Sequence, residues 1–287
     1  MDPEVSILVR CPAGGLARGQ VQAEVSGAYG RRALPGEGAV LAALWAAARE
    51  GRPRLFDAPK FRLGGAGLGP GGTPPLRLRL GLTRYRDFVG TNLAARGPRL
   101  RARGRGRGDP QAFLADPLGV GALLATADGR LVLLRRSHHV AEAPGKLDVP
   151  GGHPEPQAVA GGVPTASLRC EDLPPDLVVE EIFASVIKEI RDEVNLPPET
   201  LSPPRLLGLV RNETTAGRAT AAFFVRCSLT AEETRERYEA GGAEAHESTA
   251  VVFVQAEELL GPGGPWAELC PSAKGAVTLY HEVGALL

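Results

Sequence analysis

Hydrophobic positions mark one helix before any other element. Over Val179–Leu196 the residues Val179, Ile182, Phe183, Val186, Ile187, Ile190 and Val194 recur at three- and four-residue steps, the spacing of a single helix face. Asp176 stands where it can cap this helix, Glu180 and Glu181 sit in its first turn, and Asn195 followed by Pro197 and Pro198 ends it. Strict alternation appears instead within Pro74–Leu82, where Leu76, Leu78 and Leu80 alternate with Arg77 and Arg79, so this is a strand with its leucines inward. Pro117–Thr126 and Arg130–Arg135 form a predicted hairpin around Asp128-Gly129. Further strands are expected at Val5–Val9, Gln20–Val25, Lys146–Val149, Pro204–Asn212, Thr220–Ser228 and Thr249–Gln255. Gly38–Glu50, with Trp45 toward the core, and the stretch from Ser272 to Val283 read as helices. Arg54–Leu63 reads as two extended pieces around Pro59, Thr83–Asn92 has no clear period, and Ala158–Asp172 is irregular. The order of elements describes a mixed sheet with helices on its faces, an α/β or α+β fold.

Composition narrows this picture. At 287 residues, with 43% apolar and 23% charged positions, the chain suffices for one large domain or two ordinary ones. Thirty-three basic residues balance 33 acidic ones, so no global field draws the protein to nucleic acid or to a membrane. No apolar run approaches the length of a membrane span, and the N-terminus does not resemble a signal peptide. Cys11, Cys170, Cys227 and Cys270 are scattered without metal-ligand spacing, as expected of reduced thiols in a cytoplasmic or nuclear protein. Arg96–Asp109 packs six arginines among Gly and Pro. Without interleaved aromatics it offers no stacking platform for RNA and reads as a flexible solvated loop between two domains. Nothing in the sequence speaks to oligomeric state.

Chemistry concentrates on the central helix. Glu189, Asp192 and Glu193 follow one another at i, i+3 and i+4, and three acids on one turn repel unless a cation joins them. They are either a solvated acidic face or a Mg²⁺ site, because Mg²⁺ takes carboxylate oxygens and keeps waters for substrate phosphates. A rotation of about 100° per residue sets Glu193 about 40° from Glu189 and Glu181 about 80° away, and turns Glu180 to the far side. Glu189 and Glu193 are therefore the primary pair, with Asp192 and Glu181 next to them. The Gly151-Gly152 turn also flags His153 and Glu155.

At this point the residues resemble a known family. Lys188 to Leu196 (KEIRDEVNL) is similar to the second half of the Nudix box, and Val149-Pro150-Gly151-Gly152-His153-Pro154-Glu155 resembles its P-G-G-x-x-E turn. Twenty-seven residues, 153–179, separate Gly152 from Glu180, where that box has five, so about 22 are inserted, an insertion that loop entropy tolerates. The blocks FDAPKFRL, LGLTRYRDFVGTN, ADPLGVGALLATADG, VAEAPGKLDVPGGHPEPQA, RNETTAGRA, EAHEST and WAELCPSAKGA extend the resemblance over nearly the whole chain, to the UDP-sugar pyrophosphatase branch of Nudix hydrolases.

That resemblance implies an α-β-α sandwich with a mixed sheet over 116–287. A smaller N-terminal α+β domain, 1–110, would contribute to the substrate pocket and end in the Arg/Gly-rich loop. It implies Mg²⁺-dependent hydrolysis of UDP-glucose and UDP-galactose to UMP and the sugar 1-phosphate. Catalysis would fall to Glu189, Glu193 and Asp192, with the metal on Glu189 and Glu193. Substrate contacts would be Phe56, Tyr85, Arg136, Ala141, Asp148, His153, Glu155 and Ser272, while Glu244 and Glu247 offer further acids in a late loop. Two alternatives stand beside it: a Nudix hydrolase of another nucleoside diphosphate derivative, and an inactive module that binds nucleotide or RNA.

Overall fold

A computed structural model describes residues 2–50, 55–69, 75–138, 140, 142–244, 246–261 and 263–284. In chain order the strands are β1 (Val5–Arg10), β2 (Val21–Val25), β3 (Pro59–Leu68), β4 (Leu76–Arg84), β5 (Gly119–Ala125), β6 (Leu131–Arg136), β7 (Leu147–Asp148), β8 (Gly151–Gly152), β9 (Arg205–Asn212), β10 (Arg218–Arg226) and β11 (Ser248–Val254). The helices are α1 (Glu37–Arg49), α2 (Tyr85–Gly90), α3 (Gly97–Arg105), α4 (Pro156–Val159), α5 (Pro175–Val194), α6 (Ala231–Glu239), α7 (Ala256–Leu260) and α8 (Pro271–Val283). The larger sheet runs β1-β9-β10-β5-β6-β11, with β7 beside β6 and β8 beside β5. Its β10–β5 pair is parallel and its β9–β10 and β6–β11 pairs are antiparallel, so the sheet is mixed. A smaller sheet runs β2-β4-β3.

Two consecutive residues of β10 show how the larger sheet is covered. Phe223 meets Phe183 of α5 edge-on, with ring centroids 5.0 Å apart, and Phe224 stacks on Tyr280 of α8 at 5.3 Å. Neighbours along a strand point to opposite faces, so α5 and α8 lie on opposite sides of the sheet and an α-β-α sandwich results. Helix α5 buries Val178, Val179, Ile182, Phe183, Val186, Ile190 and Val194, the face its periodicity marks. It begins at Pro175 with Pro174 at the cap position, and Asp176 lies in the first turn without capping it. Proline's fixed φ suits that first position. Asn195 ends the helix in the left-handed conformation at φ 61°, as read from the sequence.

Local expectations are corrected around the Arg-rich stretch, Thr83–Asn92 and Trp45. Most of Arg96–Asp109 is not a flexible loop: it forms α3, which buries Leu100, pairs Arg101 with Glu213 and lays Arg103 over the Phe113 ring at 5.5 Å, while Arg107, past its end, meets the same ring at 5.6 Å. Tertiary contacts here override a composition poor for helix. Thr83–Asn92 contains α2, and Trp45 is half-buried, edge-on to Tyr85 at 6.2 Å. The N-terminal strand β1 pairs with β9 in the larger sheet. Among the described residues no helix is long and apolar enough to cross a membrane, and all four cysteines are buried and unpaired.

The two sheets share a core that joins Phe61, Leu76, Leu78 and Leu80 to Leu118, Leu123 and Ile182. Their seam is fastened by the Leu118 amide, which donates to the Phe61 carbonyl at 2.8 Å, and by buried Arg62. The Arg62 guanidinium donates to the carbonyls of Leu114, Tyr29 and Gln111 at 3.2, 2.7 and 2.7 Å. Asp116 turns the chain at the seam with φ 49° and accepts from the Gln111 amide. Its burial pushes the carboxyl up from 3.8 to about 6, against the pull of Arg211 and Arg62. A raised native pKa means that the folded state holds this proton more tightly, so its contribution is intact below 3.8 and is lost as pH rises through 6. Asp116→Asn suits the same φ. Its unfolding free energy relative to the parent should therefore rise by up to about 3 kcal/mol between acidic and neutral pH. Denaturant titrations across that range check this, and a difference independent of pH would contradict it.

Candidate active site

Sheet strand β8 and the buried end of α5 build the centre of the site. The Gly151 amide donates to Glu193 Oε2 at 2.9 Å. Gly152 passes so close to α5 that a Cβ there would fall on the Glu189 carboxylate, and a Cβ at Gly151 would strike the Val120 carbonyl. Gly152 lets the turn lie against the helix, and Gly151 lets it lie against β5. The 153–179 segment that holds the insertion leaves this turn against α5, where the Glu155 amide donates to Glu181 Oε1 at 2.9 Å. Glu181 thus faces the site, while Glu180 turns away, exposed, 4.0 Å from Arg18, as helical rotation requires.

Carboxylates crowd here. Burial, then Glu244, Glu247 and Asp192, push Glu189 up to about 7 against the opposing pull of Lys188. Burial pushes Glu193 well above the ordinary carboxylate range despite the Gly151 hydrogen bond, and Glu189, Glu247 and Asp148 push it the same way. Glu244 is raised by burial and then by Glu247 and Asp192, and its amide donates to the Asp192 carbonyl at 2.9 Å, tying the late acidic loop to α5. The Asp192 carboxylate is held by Arg191 at 2.7 Å, which sets it apart from the Glu189–Glu193 pair. Hard oxygen donors packed at this cost fit a divalent cation. Among the described residues, no three ligating groups converge as a preformed cage, so the fit is that of a few carboxylates plus waters and substrate oxygens.

Most of the other residues marked from the sequence are held by partners of their own. Arg136 donates to Asp148 at 3.0 Å and to the Glu142 carbonyl at 3.0 Å, and the Ser272 hydroxyl, at the start of α8, lies 3.5 Å from Asp148. His153 lies 3.4 Å from the Arg218 guanidinium. Burial first, then Arg218, Lys60 and Arg136, hold its pKa well below the ordinary value, so the ring is neutral near neutral pH. Glu155 has Lys60 3.9 Å from one oxygen and Lys188 4.0 Å from the other. Phe56 is 72% exposed, on a segment that Asp57 anchors to Arg84 at 2.7 Å and to the Arg86 amide at 3.0 Å, beside Tyr85. Ala141 lies outside the described residues.

Sequence reasoning missed Lys60 and Arg218. Arg218 is buried, faces Glu142 at 3.4 Å and sits 5.9 Å from the Phe88 ring. Both lie inside blocks that carry the family resemblance, FDAPKFRL and RNETTAGRA, and that membership was the available signal.

No family model matches the chain. Over 288 residues it is 58% identical to bovine (Bos taurus) "Uridine diphosphate glucose pyrophosphatase NUDT22", covering 99% of this chain and 98% of that one. The human protein of the same name is also 58% identical, over 99% and 94% of the two chains. Arabidopsis thaliana "Nudix hydrolase 9" is 34% identical over 90% of this chain and 86% of its own. The chain belongs to the Nudix hydrolase family. Nudix hydrolases generally use divalent metals, which agrees with the oxygen-only character of the Glu189–Glu193 pair.

If Gly152 is glycine because Glu189 needs its space, Gly152→Ala should displace that carboxylate and weaken divalent-cation affinity by roughly tenfold or more. Calorimetric titration with Mg²⁺ measures this, and unchanged affinity would show the close approach to be incidental.

Proposed function

We propose that this Nudix hydrolase cleaves the diphosphate bridge of UDP-sugars, UDP-glucose and UDP-galactose, giving UMP and the sugar 1-phosphate with Mg²⁺. The observation that carries the reading is the 58% identity, across 99% of the chain, to proteins named uridine diphosphate glucose pyrophosphatase. The site supports it by grouping paired carboxylates with residues suited to a nucleotide sugar.

In this reading Glu189 and Glu193 hold the cation, and the Gly151 amide fixes the Glu193 carboxylate for that task. When bound, the cation offsets diphosphate charge, polarises a phosphoryl oxygen and lowers the pKa of water at the site. Asp192, pinned by Arg191 and linked through its carbonyl to the Glu244 amide, sets the position of the late acidic loop. Phe56 presents an exposed aromatic face on which a uracil ring can stack, and Tyr85 lies in the element next to it. Arg136, oriented by Asp148 and the Glu142 carbonyl, supplies a fixed cationic fork for phosphate or sugar oxygens. Neutral His153, with Arg218 at its Nε2, carries its proton on Nδ1 and can donate it to a hydroxyl. Glu155, Asp148 and Ser272 complete the polar lining, and Ala141 joins them by resemblance. Residues 1–110 contribute Phe56 and Tyr85 to this pocket, which is the role proposed for the N-terminal domain beside the hydrolase domain of 116–287.

Incubation with UDP-glucose and Mg²⁺ should release UMP, with chelator abolishing it and ADP-ribose remaining uncleaved. Glu189→Ala should leave less than about 1% of turnover in a protein that still unfolds cooperatively. ADP-ribose cleavage in place of UDP-glucose cleavage would overturn the substrate, and metal-independent turnover would overturn the role of the carboxylates.

A further inference from the structure

Two lysines of this chain are largely covered and face carboxylates, yet they are satisfied to different degrees. Lys274 of α8 lies 2.6 Å from Glu4 and 2.9 Å from Asp2, with its ammonium near the Trp266 ring. Its hydrogen-bonding capacity is met within the chain, and it clamps the N-terminal segment to α8. Lys60 of β3 has a side chain only 13% exposed, and its ion-pair partner among the described residues, Glu155 Oε1, stands 3.9 Å away. That is beyond hydrogen-bond reach, and among the described residues the Lys60 ammonium makes no hydrogen bond. Burial lowers its pKa, while Glu155, Glu189 and Glu181 act in the opposite direction. An ammonium that is largely desolvated and lacks an acceptor is costly to keep.

The backbone around Lys60 is not free to relieve that cost. Phe61 is fully buried and accepts from Leu118, and Arg62 is fixed by three carbonyls. The side chain is thus held toward the acid face of α5 by a rigid strand from the other sheet. An anionic acceptor entering between the two would complete it and offset the desolvation.

We propose that Lys60 is a binding contact for the substrate's diphosphate, delivered to the acid face of α5 by the smaller sheet. This rests on the reading of a nucleoside diphosphate substrate given above. Lysine grips phosphate as a compact charge with three donors, so Lys60 takes a phosphate oxygen while the α5 carboxylates take the cation. At rest the same ammonium offsets part of the repulsion among Glu155, Glu181 and Glu189, which makes it a competitor of the cation and a partner of the anion.

That dual position gives opposite expectations for two ligands. In calorimetric titrations of the full chain, Lys60→Gln should bind Mg²⁺ as tightly as the parent or a few-fold more tightly. With Mg²⁺ saturating, inorganic pyrophosphate should bind the variant about tenfold or more weakly, and Lys60→Arg should restore most of the affinity. Pyrophosphate affinity equal to the parent's in Lys60→Gln would overturn the proposal. So would a joint loss of Mg²⁺ and pyrophosphate binding, which marks a structural role, or a parent that binds no pyrophosphate. Because pyrophosphate carries no nucleoside, failure to cleave UDP-glucose would count against the substrate reading and leave this result standing.

Discussion

Placing two carboxylates on the buried end of one helix is the constraint on which this structure depends. Glu189 and Glu193 face one another's field as well as that of Glu244 and Glu247, and burial pushes both away from ionisation. A fold selected for stability alone would replace them with apolar residues. In the function proposed above, they give up stability for the capacity to take a cation. The surrounding architecture follows from holding them: the Gly151-Gly152 turn closes on them, the Glu155 amide holds the start of the 153–179 segment at Glu181, and the Asp192 carbonyl anchors the late loop.

Cations in the site are arranged so as not to fill that gap. Lys188 is half-exposed, Arg191 is occupied with Asp192, and Arg218 is turned to His153 and Glu142. Arg136 is held by Asp148 and a carbonyl. The three arginines are each directed by a partner, and among the described residues only Lys60 and Lys188 face the carboxylates of α5 from a distance. Such an arrangement suits an anionic substrate that is gripped by basic side chains as well as by a metal ion.

Much of this was legible because it is periodic. The three- and four-residue spacing of α5, the alternation of Leu76, Leu78 and Leu80, and the Asp128-Gly129 hairpin each state their geometry locally, and helical rotation separated Glu181 from Glu180. The Arg-rich helix α3 was hidden because its stability comes from Glu213 and Phe113, which are distant in sequence. Helix α6 was missed because only Thr234 is buried on it, although its Thr230–Glu233 capping box was readable. Lys60 and Arg218 were silent for a related reason. Their partners Glu155 and His153 lie across the sheet seam or across a strand pair, and no spacing rule connects them.

Thermal unfolding with and without Mg²⁺, on the parent and on Glu193→Gln, tests the central claim most directly. The amide oxygen of glutamine can still accept from Gly151, so the fold is kept while the buried charge is removed. The parent should gain stability as Mg²⁺ is raised, because a ligand of the native state shifts unfolding by mass action. The variant should show no such gain, and without metal it should unfold at or above the parent's temperature. A parent indifferent to Mg²⁺, or a variant that responds as the parent does, would contradict the assignment of these carboxylates.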